Sequence, residues 1–163
     1  MAFDISRARS ETPGADEVLH FNNAGSSLMP QSVLDAQIDH LRLEARIGGY
    51  EAAAVAADRV EHVYDAAASI IGAQPDEIAV IENATRAWDM AFYSIPFQPG
   101  DRILTARAEY GSNYIALLQV AARTGATVEP VPNHEHGQLS VAALREVIDD
   151  RVRLIAITHV PTN

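Results

Sequence analysis

DRILTARAEYGSNYIALLQVAARTGATVEPVP (101–132) is the stretch that decides the fold. PGDR (99–102) makes a turn, and ILTA (103–106) is a short apolar run of strand type. From 113 to 124 the pattern becomes helical, and Gly125 closes it. ATVEPV (126–131) then returns to strand. Strand, helix and strand in succession predict an α/β sheet with mostly parallel strands and flanking helices.

The same alternation extends outward. On the C-terminal side NHEHGQ (133–138) has the polar, Gly-containing look of a hairpin, Ser140 suits the cap of a helix over 141–149, and RLIAIT (153–158) is a strand. On the N-terminal side EIAVIE (77–82) has the apolar content of a buried strand, and NATRAWDMAFYSI (83–95) reads as helix. Upstream lie two helices. One covers 31–47, with Val33, Leu34, Ile38, Leu41 and Ile47 near helical spacing, and stops at Gly48-Gly49. The other, Ala-rich, covers 50–71 and ends at Gly72 as a left-handed cap. NNAGSSLMP (22–30) is a loop, and residues 1–19 form a polar, irregular arm. Three divisions result: an arm and loop (1–30), N-terminal helices (31–72) and an α/β part (73–163). Since a parallel sheet needs both faces covered, a strand at 153–158 predicts polypeptide beyond Asn163.

Composition excludes several classes. With 48% hydrophobic and 21% charged residues the chain reads as an ordinary globular domain. A net charge of −10 repels phosphate backbones, so no nucleic-acid partner is expected. With no cysteine there is no disulfide, thiolate metal site or cysteine nucleophile in the chain. No stretch approaches the ~20 apolar residues of a membrane span, and MAFDISRARSE lacks a signal-peptide core. A cytoplasmic protein is the expectation. All 12 Lys+Arg residues are arginine, so the chain holds no lysine.

Ligands of open α/β sheets gather at the carboxyl ends of the strands, and three segments follow strands in that way. In Glu82-Asn83-Ala84-Thr85-Arg86 a helix begins, and its free N–H groups with the Thr85 hydroxyl and the Arg86 charge suit a phosphate. Asn83 equally suits a helix cap. In Ala108-Glu109-Tyr110-Gly111-Ser112-Asn113, Gly111 admits a close ligand and Tyr110 offers a ring to stack on a planar group or to cover the sheet end. In Thr158-His159-Val160-Pro161-Thr162-Asn163, His159 is either a proton handler or a hydrogen-bonded structural residue. His134-Glu135-His136 sits on a turn where alternate side chains point apart, so no metal is expected. Glu61-His62, with Asp58 and Asp65, reads as a solvated helix face. Nucleotide-binding glycine loops and a GxSxG elbow are absent from the sequence.

In order, these segments resemble the class V aminotransferase family of fold-type I pyridoxal-phosphate (PLP) enzymes, which includes cysteine desulfurases, selenocysteine lyases, isopenicillin-N-epimerase-like proteins and kynureninase. HFNNAGSSLMP (20–30) is similar to the family's opening loop, ENATRAWDM (82–90) to its phosphate turn, residues 108–132 to the ring-stacking segment, and RLIAITHVPTN (153–163) to the strand and loop that reach the ring hydroxyl. The resemblance implies PLP as cofactor, contacted by Ala84, Thr85, Arg86, Tyr110 and Asn113, and by Thr162 or Asn163. The stacking residue is Tyr110 in one register; in the other its place falls on Gly111, which has no ring. Asn23, Ala24 and His159 would face an amino-acid substrate. The resemblance runs from about residue 18 and reaches only the first part of the family's large domain. The family's pyridine-pairing Asp, its Schiff-base lysine and its small domain have no counterpart here, so no catalytic residue is assigned within the chain.

Two functions follow as expectations. One is the N-terminal segment of a PLP-dependent lyase, desulfurase, epimerase or transaminase, completed by a complementary segment or chain and assembling as a homo-oligomer. The other is a non-catalytic truncated paralogue acting as a binding or dimerisation module.

Overall fold

The structure, a computed structural model, describes residues 3–161. The chain divides into two units, Met1–Val80 and Ile81–Asn163.

The first unit is helical. Where the sequence suggested an irregular arm, α1 (Ile5–Ser10) forms because the Asp4 side chain accepts the Arg7 N–H at 3.0 Å and caps its first turn. A 3-10 turn follows at Pro13–Ala15. Helices α2 (Gln31–Ile47) and α3 (Gly49–Ile71) meet at Gly48, whose φ of 95° breaks the helical path where the two-glycine signal placed it. Small residues let the two helices approach: Ala52 and Ala56 are one turn apart on α3, and both are buried. Gly72 ends α3 in the left-handed conformation at φ 71°.

The strand expected at 77–82 is not formed. Pro75–Glu77 is a 3-10 turn, held by the Gln74 N–H donating to Glu77 Oε2 at 2.8 Å, and the following residues lie in no strand. Val80 is 60% exposed. An apolar run becomes a strand only by pairing, and no strand among the described residues pairs with this one.

The second unit begins with α4 (Ala84–Tyr93), followed by β1 (Arg102–Thr105), α5 (Gly111–Thr124), β2 (Thr127–Pro130), α6 (Val141–Val147) and β3 (Val152–Ala156). The strands form one parallel sheet in the order β2-β1-β3, with Ile103 opposite Val128 on one side and Leu154 on the other. This is the α/β architecture that the alternation predicts. The central strand is apolar throughout because it is covered on both faces: Ile103, Leu104 and Thr105 have no exposed surface. Phe92 of α4 and Ala116, Leu117 and Val120 of α5 pack with Ile103 into one cluster. Trp88 stacks on Phe92 with ring centroids 4.6 Å apart.

Helix ends differ from expectation by two residues, for visible reasons. Tyr110 is extended, at φ −63° and ψ 129°, so α5 starts at Gly111. At the other end of the unit α6 stops at Val147, where the Arg102 guanidinium takes the Val147 carbonyl at 2.9 Å. Gly125 has φ 79°, and an added Cβ would lie 3.3 Å from Pro99, so this helix end requires glycine twice over. Strand β3 alternates between half-buried and exposed residues, and Ile155 is 41% exposed. No helix among the described residues is long and apolar enough to cross a membrane.

Candidate functional site

Helices α4 and α5 pack against each other and against Ile103 of β1. The end of α4 meets the second half of α5, with the Tyr93 hydroxyl donating to Gln119 Oε1 at 3.1 Å and the Arg123 guanidinium 5.8 Å from the Tyr93 ring centre. The carboxyl terminus of β1 leads into the start of α5. Each of the two helices begins with N–H groups unpaired among the described residues and with the positive end of its dipole.

At the start of α4 the Asn83 side chain accepts the Arg86 N–H at 2.9 Å, so Asn83 is a helix cap. The cap leaves the Ala84 and Thr85 N–H groups without an acceptor among the described residues. Both residues are exposed, as is the Thr85 hydroxyl that stands beside them. Arg86 folds back onto Glu82, with Nε 3.1 Å from Oε1. Both partners are more than half exposed, so water weakens the pair and leaves the guanidinium free to exchange partners.

The second and third sequence segments are brought together by Glu109. One carboxylate oxygen, Oε1, accepts the Tyr110 N–H at 3.0 Å, the Asn113 side-chain amide at 3.1 Å and the Thr158 hydroxyl. The other, Oε2, accepts the Thr158 N–H at 2.9 Å and the Thr105 hydroxyl at 3.4 Å. The Tyr110 N–H is shared with the Thr158 hydroxyl at 3.2 Å. One side chain thus ties the end of β1, the start of α5 and the exit of β3. Tyr110 is half exposed, and His159, immediately after Thr158, is exposed. Beside this contact an open cleft of about 680 Å³ runs past the ends of β1 and β2, between Ala106, Arg107, Glu109, Gly111, Tyr114 and Pro130.

Sequence reasoning had placed Glu109 and Thr158 inside the right segments without giving either a role. Glu109 lies in the short turn between a strand and a glycine-led helix, which is the only local signal. Thr158 lies 49 residues further along, and nothing in its own neighbourhood announces the contact.

Asn23 and Ala24 lie on an exposed turn of the first unit. That turn is shaped by its neighbours: the Gly25 and Ser26 N–H groups donate to the Asn22 carbonyl, and His20 Nε2 is 2.8 Å from the Ser26 carbonyl. Thr162 and Asn163 lie outside the described residues. The two imidazoles at 134 and 136 shape their own turn, since His134 Nδ1 accepts the His136 N–H at 3.0 Å and His134 Nε2 lies 3.1 Å from Gln138 Oε1.

In a parallel α/β sheet the carboxyl edge, here carrying a half-exposed aromatic ring and the start of α5, is where ligands gather. The chain belongs to the aminotransferase class-V family, whose profile matches residues 19–163. It is 27% identical, over 98% of its length, to a cysteine desulfurase of Cronobacter sakazakii, of which it covers 43%. Among solved structures it resembles the apo cysteine desulfurase of Thermococcus onnurineus NA1, with a TM-score of 0.82 at 24% identity over 99% of this chain and 42% of that one. It also resembles a mutant of C-DES with glycine covalently linked to its PLP cofactor, with a TM-score of 0.83 at 23% identity over 95% of this chain and 41% of that one. The chain spans about two fifths of the length of these relatives.

Proposed function

We propose that this chain supplies the phosphate-binding and ring-holding wall of a PLP site, in an enzyme that acts on an amino acid. The observation that carries the reading is the pair of unsatisfied N–H groups of Ala84 and Thr85 at the exposed start of α4, a helix packed against the α5 helix that the half-exposed Tyr110 precedes. These groups fit the cofactor: N–H and hydroxyl donors suit its phosphate, and an aromatic face suits its pyridine ring. Ala84, Thr85 and Arg86 hold the phosphate, Tyr110 lies on the ring, and Asn113 supports the first turn of α5. Thr162 or Asn163 serves the ring hydroxyl, and Asn23, Ala24 and His159 serve the substrate. When bound, the cofactor supplies an electron sink for chemistry at the substrate α-carbon. The lysine that such chemistry needs comes from polypeptide other than these 163 residues, which contain none. Desulfurase, lyase, epimerase and transaminase chemistry all agree with this wall. Self-association and a cytoplasmic setting belong to the same reading, supported by the exposed edge of β3 and by the absence of cysteine.

Calorimetric titration tests this. PLP is expected to bind more tightly than pyridoxal, which lacks the phosphate, and Thr85→Val is expected to weaken PLP on the order of tenfold, the loss of one hydrogen bond to a charged group. Borohydride treatment is expected to leave no lysine adduct. Equal binding of PLP and pyridoxal, or none of either, overturns the proposal and leaves a non-catalytic module. Turnover of amino acids by the isolated chain overturns it as well.

A further inference from the structure

We infer that Glu109 is a positioning residue of this site, whose carboxylate fixes the direction of the Tyr110 ring and of the Thr158–His159 segment. The inference rests on the reading above for what the ring touches, and on the hydrogen bonds alone for what Glu109 holds.

Three of its donors are obligate. The N–H groups of Tyr110 and Thr158 and the amide nitrogen of Asn113 can only donate, so both carboxylate oxygens serve as acceptors. With the hydroxyls of Thr105 and Thr158 added, five donor groups meet about four lone-pair positions. Glu109 lines the cleft, and its oxygens are taken up by this chain's own donors, which makes it a clasp between segments. No arginine or histidine of the described residues forms an ion pair with it, so neutral donors alone answer the carboxylate. Each fixes a backbone direction. The Tyr110 N–H is held from two sides, by Glu109 and by the Thr158 hydroxyl, while the tyrosine hydroxyl has no partner among the described residues. The ring is therefore aimed by its main chain. Thr158 gives both its N–H and its hydroxyl to Glu109, which sets where His159 leaves the sheet.

A carboxamide cannot replace this carboxylate. Whichever way Gln is turned, its NH2 group meets an N–H donor, that of Tyr110 in one orientation and that of Thr158 in the other. Glu109→Gln is expected to raise amide hydrogen exchange at Tyr110 and Thr158 about tenfold or more, while Ala143 in α6 and the unfolding midpoint change little. Thr158→Val removes the hydroxyl without touching the carboxylate and should act in the same direction, and Thr158→Ser should behave as the parent. If Glu109→Gln fails to fold, Thr158→Val and Thr158→Ser carry the comparison.

The cofactor readout is the visible circular dichroism of bound PLP, which reports a ring held in one asymmetric setting. It should be lost in Glu109→Gln and Thr158→Val, while PLP affinity falls much less because the α4 turn still holds the phosphate. Unchanged exchange at Tyr110 and Thr158 overturns the inference. Faster exchange with unchanged dichroism also overturns it, since Glu109 would then be an ordinary structural bond. A parent chain that takes up no PLP overturns the proposed function instead, and the exchange measurement still decides whether Glu109 fixes the two segments.

Discussion

The two ends of the β1 strand hold their central charge in opposite ways. At the amino end Arg102, its side chain 12% exposed, donates to Glu129 at 2.8 Å, to the Val147 carbonyl at 2.9 Å and to Asp149 at 3.0 Å. At the carboxyl end Glu109 is answered by hydroxyls, an amide and backbone N–H groups. Opposite charges at the amino end are consumed by each other and bind β1, β2 and the turn before β3 together. At the carboxyl end neutral donors fix the backbone and leave Tyr110 and His159 exposed. One end is built for cohesion and the other for display.

The largest expected effect lies between the two ends. Leu117, with no exposed surface, packs α5 on β1, and Leu117→Ala should cost about 2–5 kcal/mol in urea unfolding and loosen both ends at once. If it costs much less, the sheet does not depend on this core and the comparison of its ends loses meaning.

The amino end comes next, and pH isolates it. The hydrogen bond from Arg102 is the main cause that holds the Glu129 carboxyl below the usual carboxylate range, against desolvation. Desolvation pushes Asp149 upward, but hydrogen bonds from Arg151 and Arg102 outweigh it and the net direction is down. Carboxyls with a lowered folded pKa stabilise above their unfolded values and lose that contribution as pH falls through the folded ones. Thermal stability should therefore hold from neutral pH down to about 5, then fall below about pH 4, where ordinary carboxylates protonate. Arg102→Met should lower the melting temperature at neutral pH and flatten this fall. An unaltered pH profile would mean that the amino end is not held by charge.

The smaller effects belong to the display end. Asn83→Ala removes the α4 cap and should cost about 1 kcal/mol, read as reduced stability in urea unfolding. Arg86→Gln breaks only an exposed pair and should change stability by less than about 0.5 kcal/mol, while PLP affinity falls. If Arg86→Gln destabilises as strongly as Arg102→Met, the two ends are not different in kind.

Much of this was legible from residues alone, where the signal is local. Gly72 and Gly125 end helices with positive φ, and Ser140 caps α6 by accepting the Ala143 N–H, each as its position indicated. The strands at 103 and 153 were legible because they are apolar and do pair. The run at 77–82 looked the same and is no strand, since its own residues cannot supply a partner. The site was legible as three segments at strand ends but not as a network. Glu109 and Thr158 are polar residues among many, and their contact spans 49 positions. Arg102 and Glu129 are likewise 27 positions apart, and nothing local distinguishes them from other charged residues.

The sequence by itself determined the alternation of helices and strands from residue 84 onward, the parallel sheet that this alternation requires, and the absence of any lysine to bind a cofactor covalently. Backbone preference, capping and composition act over a few residues or none, so they can be read without a fold. Tertiary structure alone decided that α4 packs on α5 and β1, that Arg102 gathers two carboxylates at one end of β1, and that Glu109 joins three elements at the other. Those outcomes depend on register and packing between residues far apart in the chain, which no local pattern encodes.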